Sequence, residues 1–301
     1  MCSELLSYCI PTRNRSPYLR DMLATLEGQI CERDITPDTL RIYVSDNAST
    51  DDTPELVKSF AGRLPHLVYS RNAENIGGDR NVIQCTRLAN GRFVWVAGDD
   101  DIIEPGALGR ILEALKEPNL ALMVNLDTGY DARLSRPARF ESFRDYAAAC
   151  ARVNPHILIQ HTLVTSNIFR ADCFDAEYAE SMLHTNYSHI YAMVKPVIEK
   201  GGAVLLPEFP AVTIRKRRAA AVDGVWPTNL EKSWHEYLQW LREKLQLPEL
   251  DPDAVLEYVR GDLFRRIRTN PFKFVWNNLP ALKQPEAYIW FFKRLFRRTR
   301  S

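Results

Sequence analysis

Four times in the first 105 residues the chain repeats one cycle: a short apolar stretch, a polar loop, then a segment with helical periodicity. The apolar stretches are residues 5–10, 40–45, 67–70 and 93–97, and a fifth follows at 120–125. Each is too short for a helix and is bounded by Pro, Asn or Asp, so each reads as a buried strand. The intervening periodic segments, about 18–27, 53–61, 78–89 and 105–116, read as helices. Strand, loop and helix in this alternation predict right-handed crossovers and a mostly parallel sheet flanked by helices, an α/β Rossmann-like architecture. Every polar loop follows a strand, so all four gather on the carboxyl rim of the sheet, where open α/β folds bind their ligands.

The fourth loop is the most demanding. Directly after Phe93-Val94-Trp95-Val96-Ala97 come Gly98 and three adjacent carboxylates, Asp99, Asp100 and Asp101. Three such groups at a strand end repel one another unless a cation or strong donors sit among them. A hard divalent ion with oxygen ligands, shared with a substrate's phosphates, suits the arrangement. The plain alternative is an acidic turn in water. Neither a G-x-G-x-x-G fingerprint nor a phosphate-loop lysine motif follows the first strand, which argues against an NAD enzyme or a P-loop NTPase. Thr53-Pro54-Glu55 reads as an N-cap with Pro at the first helical position.

Charge is distributed unevenly although the net is only +1. Residues 260–301 hold 11 Lys/Arg against two acids, which leaves 28 basic and 36 acidic side chains elsewhere. A basic tail on an acidic body points to a polyanionic partner. The six cysteines are scattered without metal-ligand spacing and several lie in apolar runs, which fits a reducing compartment rather than a disulfide framework. Met1-Cys2-Ser3-Glu4 runs straight into a strand pattern, without a signal-peptide pattern, and no apolar run reaches ~18 residues. These features predict a cytoplasmic protein.

Four rim segments together resemble one family. Pro11-Thr12-Arg13-Asn14-Arg15, Val44-Ser45-Asp46-Asn47-Ala48-Ser49-Thr50-Asp51, the Asn72–Gly78 stretch, and Gly98-Asp99-Asp100-Asp101 with Ile102-Ile103-Glu104-Pro105 are similar, in order and spacing, to the motifs of family-2 glycosyltransferases with the GT-A fold. The resemblance covers about the first 120 residues and thins after Leu126, where Thr165-Ser166-Asn167-Ile168-Phe169-Arg170 resembles the family's late strand on the acceptor side. It implies a catalytic domain over 1–215, with a nucleotide-sugar half (1–125) and an acceptor half (126–215), followed by a helical C-terminal extension (216–301). Within that extension, 231–245 and 253–268 have helical periodicity, broken by Pro248 and Pro252.

The resemblance also implies roles. Asp46 and Asn47 would hold the donor's base; Pro11, Thr12, Arg13 and Arg15 would line its ribose and phosphates; Asn75, Gly78 and Arg80 would extend that site. The plain alternatives are an Asx-turn at Asp46, solvated arginines at 13, 15 and 80, and a Gly77-Gly78 pair that only turns the loop. Asp99 and Asp101 frame the metal motif with Asp100 between them, and would hold Mn²⁺ or Mg²⁺ against the departing diphosphate. Gly98 stands where a further Asp is common. Inverting members place a carboxylate at the start of the helix after the late strand, but 184–190 reads His-Thr-Asn-Tyr-Ser-His-Ile. His189 is then the expected base, with His184, Asp172, Asp175 and Glu177 as rivals, and the plain alternative is a helix histidine that only packs or caps.

The tail interleaves aromatics with Lys/Arg over 270–276 and 288–300, a composition suited to the interface of an anionic bilayer. The alternative is a helix packing its rings on the body. The expectation is a metal-dependent glycosyltransferase that moves a sugar from a nucleotide-diphosphate sugar to a saccharide acceptor. Family habit makes that acceptor a polyprenyl-linked O-antigen or other surface-polysaccharide intermediate at the inner face of the cell membrane, with no nucleic-acid partner. The competing expectation is a non-catalytic nucleotide-sugar or saccharide-binding regulatory or scaffold subunit, and a nucleotidyltransferase is disfavoured by the missing pyrophosphate loop.

Overall fold

The computed structural model describes residues 4–124, 138–185, 187–209, 211–213 and 230–258. The nucleotide-side elements alternate as expected: β1 (Glu4–Thr12), α1 (Ser16–Glu32), β2 (Leu40–Asp46), α2 (Thr53–Ala61), β3 (Leu67–Arg71), α3 (Gly78–Leu88) and β4 (Gly91–Val96). After β4 come β5 (Ile102–Ile103), α4 (Ala107–Ala114), β6 (Leu120–Val124), β7 (Ala138–Phe140), α5 (Phe143–Val153) and α6 (His156–Gln160). The remainder is β8 (Asn167–Arg170), α7 (Ala176–Ser181), α8 (Ser188–Lys200), β9 (Ala203–Leu206), β10 (Val212–Thr213) and α9 (Leu230–Leu245).

Eight strands form one sheet in the order β3-β2-β1-β4-β8-β6-β9-β7. The β1–β2, β2–β3, β1–β4 and β6–β9 ladders are parallel, as the crossover argument requires. The sheet is more mixed than the sequence pattern suggests. β8 enters antiparallel between β4 and β6, pairing Trp95 with Ile168 and Val124 with Asn167. That direction brings the residues before β8 to the carboxyl end of β4, beside the acid triplet. The other departure is local: Ile102 and Ile103 form a two-residue ribbon with Thr213 and Val212, so α4 starts at Ala107 rather than Pro105. At α2 the cap is Asp52 and Thr53 is already helical, one residue from expectation.

The sheet is covered on both faces because its strands alternate two apolar sets. Leu6, Tyr8 and Ile10 of β1 join Phe93 and Trp95 of β4 in a cluster with α1, α2 and α4. In α1 the buried positions Leu19, Met22, Leu23, Leu26 and Ile30 fall at helical spacing, which turns one stripe onto that face. Cys9, Val94 and Val96 point the other way, into a cluster with α5 and α8. Tyr237, Leu238, Leu241 and Leu245 of α9 belong to this second cluster, so the chain's later helix packs on the same layer. The expected boundary near 215, the latter part of the 253–268 helix, and the basic aromatic tail lie outside the described residues, apart from a helical turn at 252–258.

At the amino edge, β1 and β4 approach unusually closely. A Cβ at Gly91 would stand 2.8 Å from Ser7 Oγ and 2.9 Å from Ser7 N, and that hydroxyl already accepts from the Gly91 N–H at 2.9 Å. Gly91→Ala is therefore expected to destabilise the protein by about 1–3 kcal/mol through overpacking. A lowered urea midpoint with unchanged m-value checks this.

Candidate functional site

The acid triplet is a turn tied down from three sides. Ala97 N–H still donates to Cys9 O at 2.9 Å, and then the chain leaves the sheet. Asp101 N–H donates back to Gly98 O at 3.2 Å, closing the turn. Thr12, at the end of β1, donates its hydroxyl to Asp99 at 2.7 Å. Arg15, just before α1, reaches Asp99 at 2.9 Å and Asp100 at 3.2 Å through the same nitrogen. From the third side Thr165 accepts from Gly98 N–H at 2.9 Å and donates a short hydrogen bond to Asp101. Thr165 is itself held by Trp95, whose indole N–H donates to its carbonyl at 2.9 Å. Gly98 is needed in this packing: a Cβ there would lie 3.1 Å from an Asp101 oxygen and 3.3 Å from an Asp100 oxygen. Gly98 thus leaves room for two carboxylates to fold back over the backbone.

Asp99, Asp100 and Asp101 are only 4%, 8% and 6% exposed, and Arg15 is the one cation paired with Asp99 and Asp100 among the described residues. Burial pushes the Asp99 carboxyl up, opposed by the Arg15 charge and the Thr12 hydroxyl. For Arg15, burial works against its charge, but the Asp99 and Asp100 carboxylates outweigh it and raise its pKa. The donor set is all oxygen, which suits Mn²⁺ or Mg²⁺. Among the described residues no three His, Cys, Asp or Glu side chains converge as a closed cage. An ion here fits only as one held by one or two carboxylates and completed by water and diphosphate oxygens, the ordinary manner of Mg²⁺.

Beside the acid turn, the loops after β1, β2 and β3 knit into a second polar node. Asp46, fully buried at the end of β2, accepts from Ser49 N–H at 2.9 Å and Tyr69 Oη at 2.7 Å, and pairs with Arg71 at 3.3 Å. Asn47 donates to Asn75 Oδ1 at 2.7 Å and to Gly77 O at 3.3 Å, and accepts from Ile76 N–H at 2.9 Å and Asn72 Nδ2 at 3.2 Å. Asn47 N–H donates to Thr12 O at 2.9 Å, which joins this node to the acid turn. Asn14 and Ala48 adopt left-handed backbone at φ 53° and 57°. Ala48 gains no side-chain compensation for that strain, and the surrounding bonds hold it there.

The expected site residues are therefore sorted. Thr12, Arg15, Asp46, Asn47, Asn75 and Asp99–Asp101 lie on one connected rim. Pro11 is within β1, and Arg13 is exposed on the same loop. Gly78 opens α3 behind Gly77, whose φ of 89° makes the turn. Arg80 reaches Glu180 on α7 at 3.6 Å rather than the acids. Residues whose role the sequence did not indicate hold the site: Thr165 falls in the stretch that resembles the family's late strand, but nothing local ties it to an acid 64 residues away, and Tyr69 and Arg71 are ordinary strand residues until β3 lies beside β2.

On the acceptor side, His189 sits in the first turn of α8, half-buried, and its Nε2–H donates to Thr162 O at 3.0 Å. Burial lowers its pKa and the Asp79 charge opposes that shift. A neutral imidazole is the form a base requires. Among its rivals, Asp172 pairs with Arg170 at 2.5 Å, Asp175 caps α7 and pairs with Lys195 at 3.0 Å, and His184 is exposed. Glu177 lies in the first turn of α7.

A mixed eight-stranded sheet with helices on both faces, ending on one rim in carboxylate- and asparagine-rich loops, defines the class as α/β. The chain belongs to glycosyl transferase family 2, whose family model matches residues 7–173, more than half of it. Over 208 residues it is 29% identical to the abequosyltransferase RfbV of Salmonella typhimurium, a match over 63% of this chain and 60% of that relative's length. The fold is shared with the Staphylococcus aureus TarS fragment 1–349 crystallised with UDP-GlcNAc (TM-score 0.59, 17% identity, 90% of this chain and 75% of that one). It is shared too with the mannosyltransferase PcManGT of Pyrobaculum calidifontis in complex with GDP-Man and Mn²⁺ (TM-score 0.54, 14% identity, 95% and 82%).

Thr165→Val deletes the hydroxyl that Gly98 N–H and Asp101 share while keeping the side chain's shape. A loss of about 1–3 kcal/mol in thermal or urea unfolding is expected, recovered by Thr165→Ser.

Proposed function

We propose that the protein transfers a sugar from a nucleotide-diphosphate donor to a saccharide hydroxyl, with a divalent metal at the acid turn. The observation behind this reading is the convergence of Thr12, Arg15 and Asp99–Asp101 with Asp46, Asn47 and Asn75 on one rim, within the stretch matched by the family model. Asp46 and Asn47 face the base, and Pro11, Thr12, Arg13 and Arg15 the ribose and phosphates, where an arginine's planar fork can donate to two oxygens. Gly78 and Arg80 extend this wall. Asp99 and Asp101 would hold Mn²⁺ or Mg²⁺ with Asp100 beside them. When bound, the ion supplies Lewis-acid neutralisation of the leaving diphosphate. His189 receives the acceptor proton. The acceptor class to test is a bacterial surface polysaccharide with a polyprenyl-linked intermediate as its membrane form. A relative named for a PP-undecaprenol-linked saccharide, 28% identical over 37% of this chain, supports that reading. Residues 259–301, basic and aromatic, would dock the enzyme on an anionic inner-membrane surface.

A thermal-shift screen of UDP, GDP and CDP with and without Mn²⁺ tests the donor site. Stabilisation by one nucleotide that requires metal is expected, and no response to any of them would defeat the reading. Asp101→Ala is expected to lower turnover by on the order of 10²-fold or more while circular dichroism stays native. Truncation after Lys283 is expected to weaken binding to phosphatidylserine vesicles; equal co-sedimentation of both forms would remove the membrane assignment.

A further inference from the structure

The carboxylate missing from the start of α8 is supplied by a different helix. The β3–α3 loop leaves the Asn47 node at Gly77, whose carbonyl accepts from Asn47. Two residues later Asp79 stands in the first turn of α3, half-buried. Helices α3 and α8 pack together, and because they precede β4 and β9, strands of the same direction, both start at the sheet's carboxyl rim; Ile83 and Ala192, one turn beyond Asp79 and His189, share a buried cluster. Its charge acts there on both His189 and Tyr187. His189 is already committed on one side, because Nε2–H donates to Thr162 O. That bond selects the tautomer and leaves Nδ1 as the basic nitrogen. Burial raises the pKa of Asp79 itself, and the His189 charge opposes that shift. His161, at the end of α6, is pushed by burial down to about 3 and is neutral. Burial raises the Tyr187 phenol; its ring stands 6.2 Å from the His189 ring, and its oxygen accepts from Trp234 Nε1 of α9 at 3.0 Å. Asp79 is thus the one acid acting on His189, among the described residues, that can offset an imidazolium.

We propose that His189 and Asp79 form the acceptor-activating pair, His189 as the catalytic base through Nδ1 and Asp79 as the positioning carboxylate that stabilises its protonated form. This rests on the glycosyl-transfer reading above. The acceptor hydroxyl passes its proton to Nδ1 as its oxygen bonds to the anomeric carbon. The bond from that carbon to the diphosphate breaks, and the electron pair leaves with the diphosphate. The imidazolium, which burial alone would oppose, forms beside the Asp79 carboxylate and returns its proton to water. The logic is that of any base oriented by a third group, here delivered by two helices far apart in sequence.

The test measures nucleoside diphosphate release, with water as acceptor, from whichever of UDP-GlcNAc, GDP-mannose or CDP-glucose the full-length protein binds in thermal shift. Asp79→Asn is expected to lower kcat about 10–100-fold with little change in KM for the donor. Because Asp79 raises the His189 pKa, its removal lowers that pKa, so the acidic limb of the kcat–pH profile moves to lower pH. A purely structural Asp79 would leave that limb in place. His189→Gln is expected to lose more, the double variant no more than His189→Gln alone, and Asp79→Glu to recover much of the rate. Wild-type turnover with an Asp79→Asn rate and limb equal to wild type overturns this inference alone, as do losses that multiply in the double variant. A wild-type protein that neither binds nor hydrolyses any donor overturns the glycosyl-transfer reading and this inference with it.

Discussion

Three carboxylates confined to one tight, nearly buried turn repel one another, and the architecture answers that repulsion piece by piece. Each donor comes from a separate element: Thr12 from the end of β1, Arg15 from the start of α1, and Thr165 from the approach to β8. None of these is adjacent to the triplet in sequence, so the turn cannot hold its shape until the sheet is assembled. Among the described residues Arg15 is the guanidinium paired with Asp99 and Asp100, in a setting of low dielectric where a bound cation would interact strongly with these acids. The cost of burying these acids is a stability debt, and sites that hold such strain are often functional.

The second node works by saturation rather than by charge. Asn47 uses both side-chain donors and its oxygen on Asn75, Gly77, Ile76 and Asn72, so three loops become one rigid surface. Asp46 is tied equally tightly by Ser49, Tyr69 and Arg71. A ligand meeting such a surface orders little further, which is the advantage of preorganisation. The left-handed Asn14 and Ala48 are the strained joints in this mesh.

The acceptor side is built on other terms. The family match ends at Cys173, before α8 and α9, and around the start of α8 a histidine and tyrosines sit in an aromatic setting. His161 lies fully buried between Phe143 and Tyr146, with ring distances of 5.5 and 5.8 Å. Trp234 and Trp240 of α9 donate to Tyr187 and Tyr178, so the later helix braces the start of α8 and the face of α7. This half combines aromatic packing and neutral hydrogen bonds with ion pairs such as Asp175–Lys195 and Asp172–Arg170, whereas the rim loops after β1, β2 and β4 are held by carboxylates, amides and Arg15.

Local pattern alone determined the parallel nucleotide half: β1 to β4 and their helices follow from apolar runs of strand length, helical spacing and Pro, Gly and Asp punctuation, all short-range signals. The rim residues Thr12, Asp46, Asn47 and Asp99–Asp101 were legible for the same reason, because a loop after a parallel strand has one place to go. Tertiary structure alone decided the rest. An antiparallel β8 between β4 and β6, Thr165 over Asp101, and Arg80 turned to Glu180 all join residues whose local sequence says nothing of their partners. Hydrogen bonds and charge pairs between distant elements depend on which strand enters which gap, and that choice is made by the burial of the whole sheet rather than by any one segment.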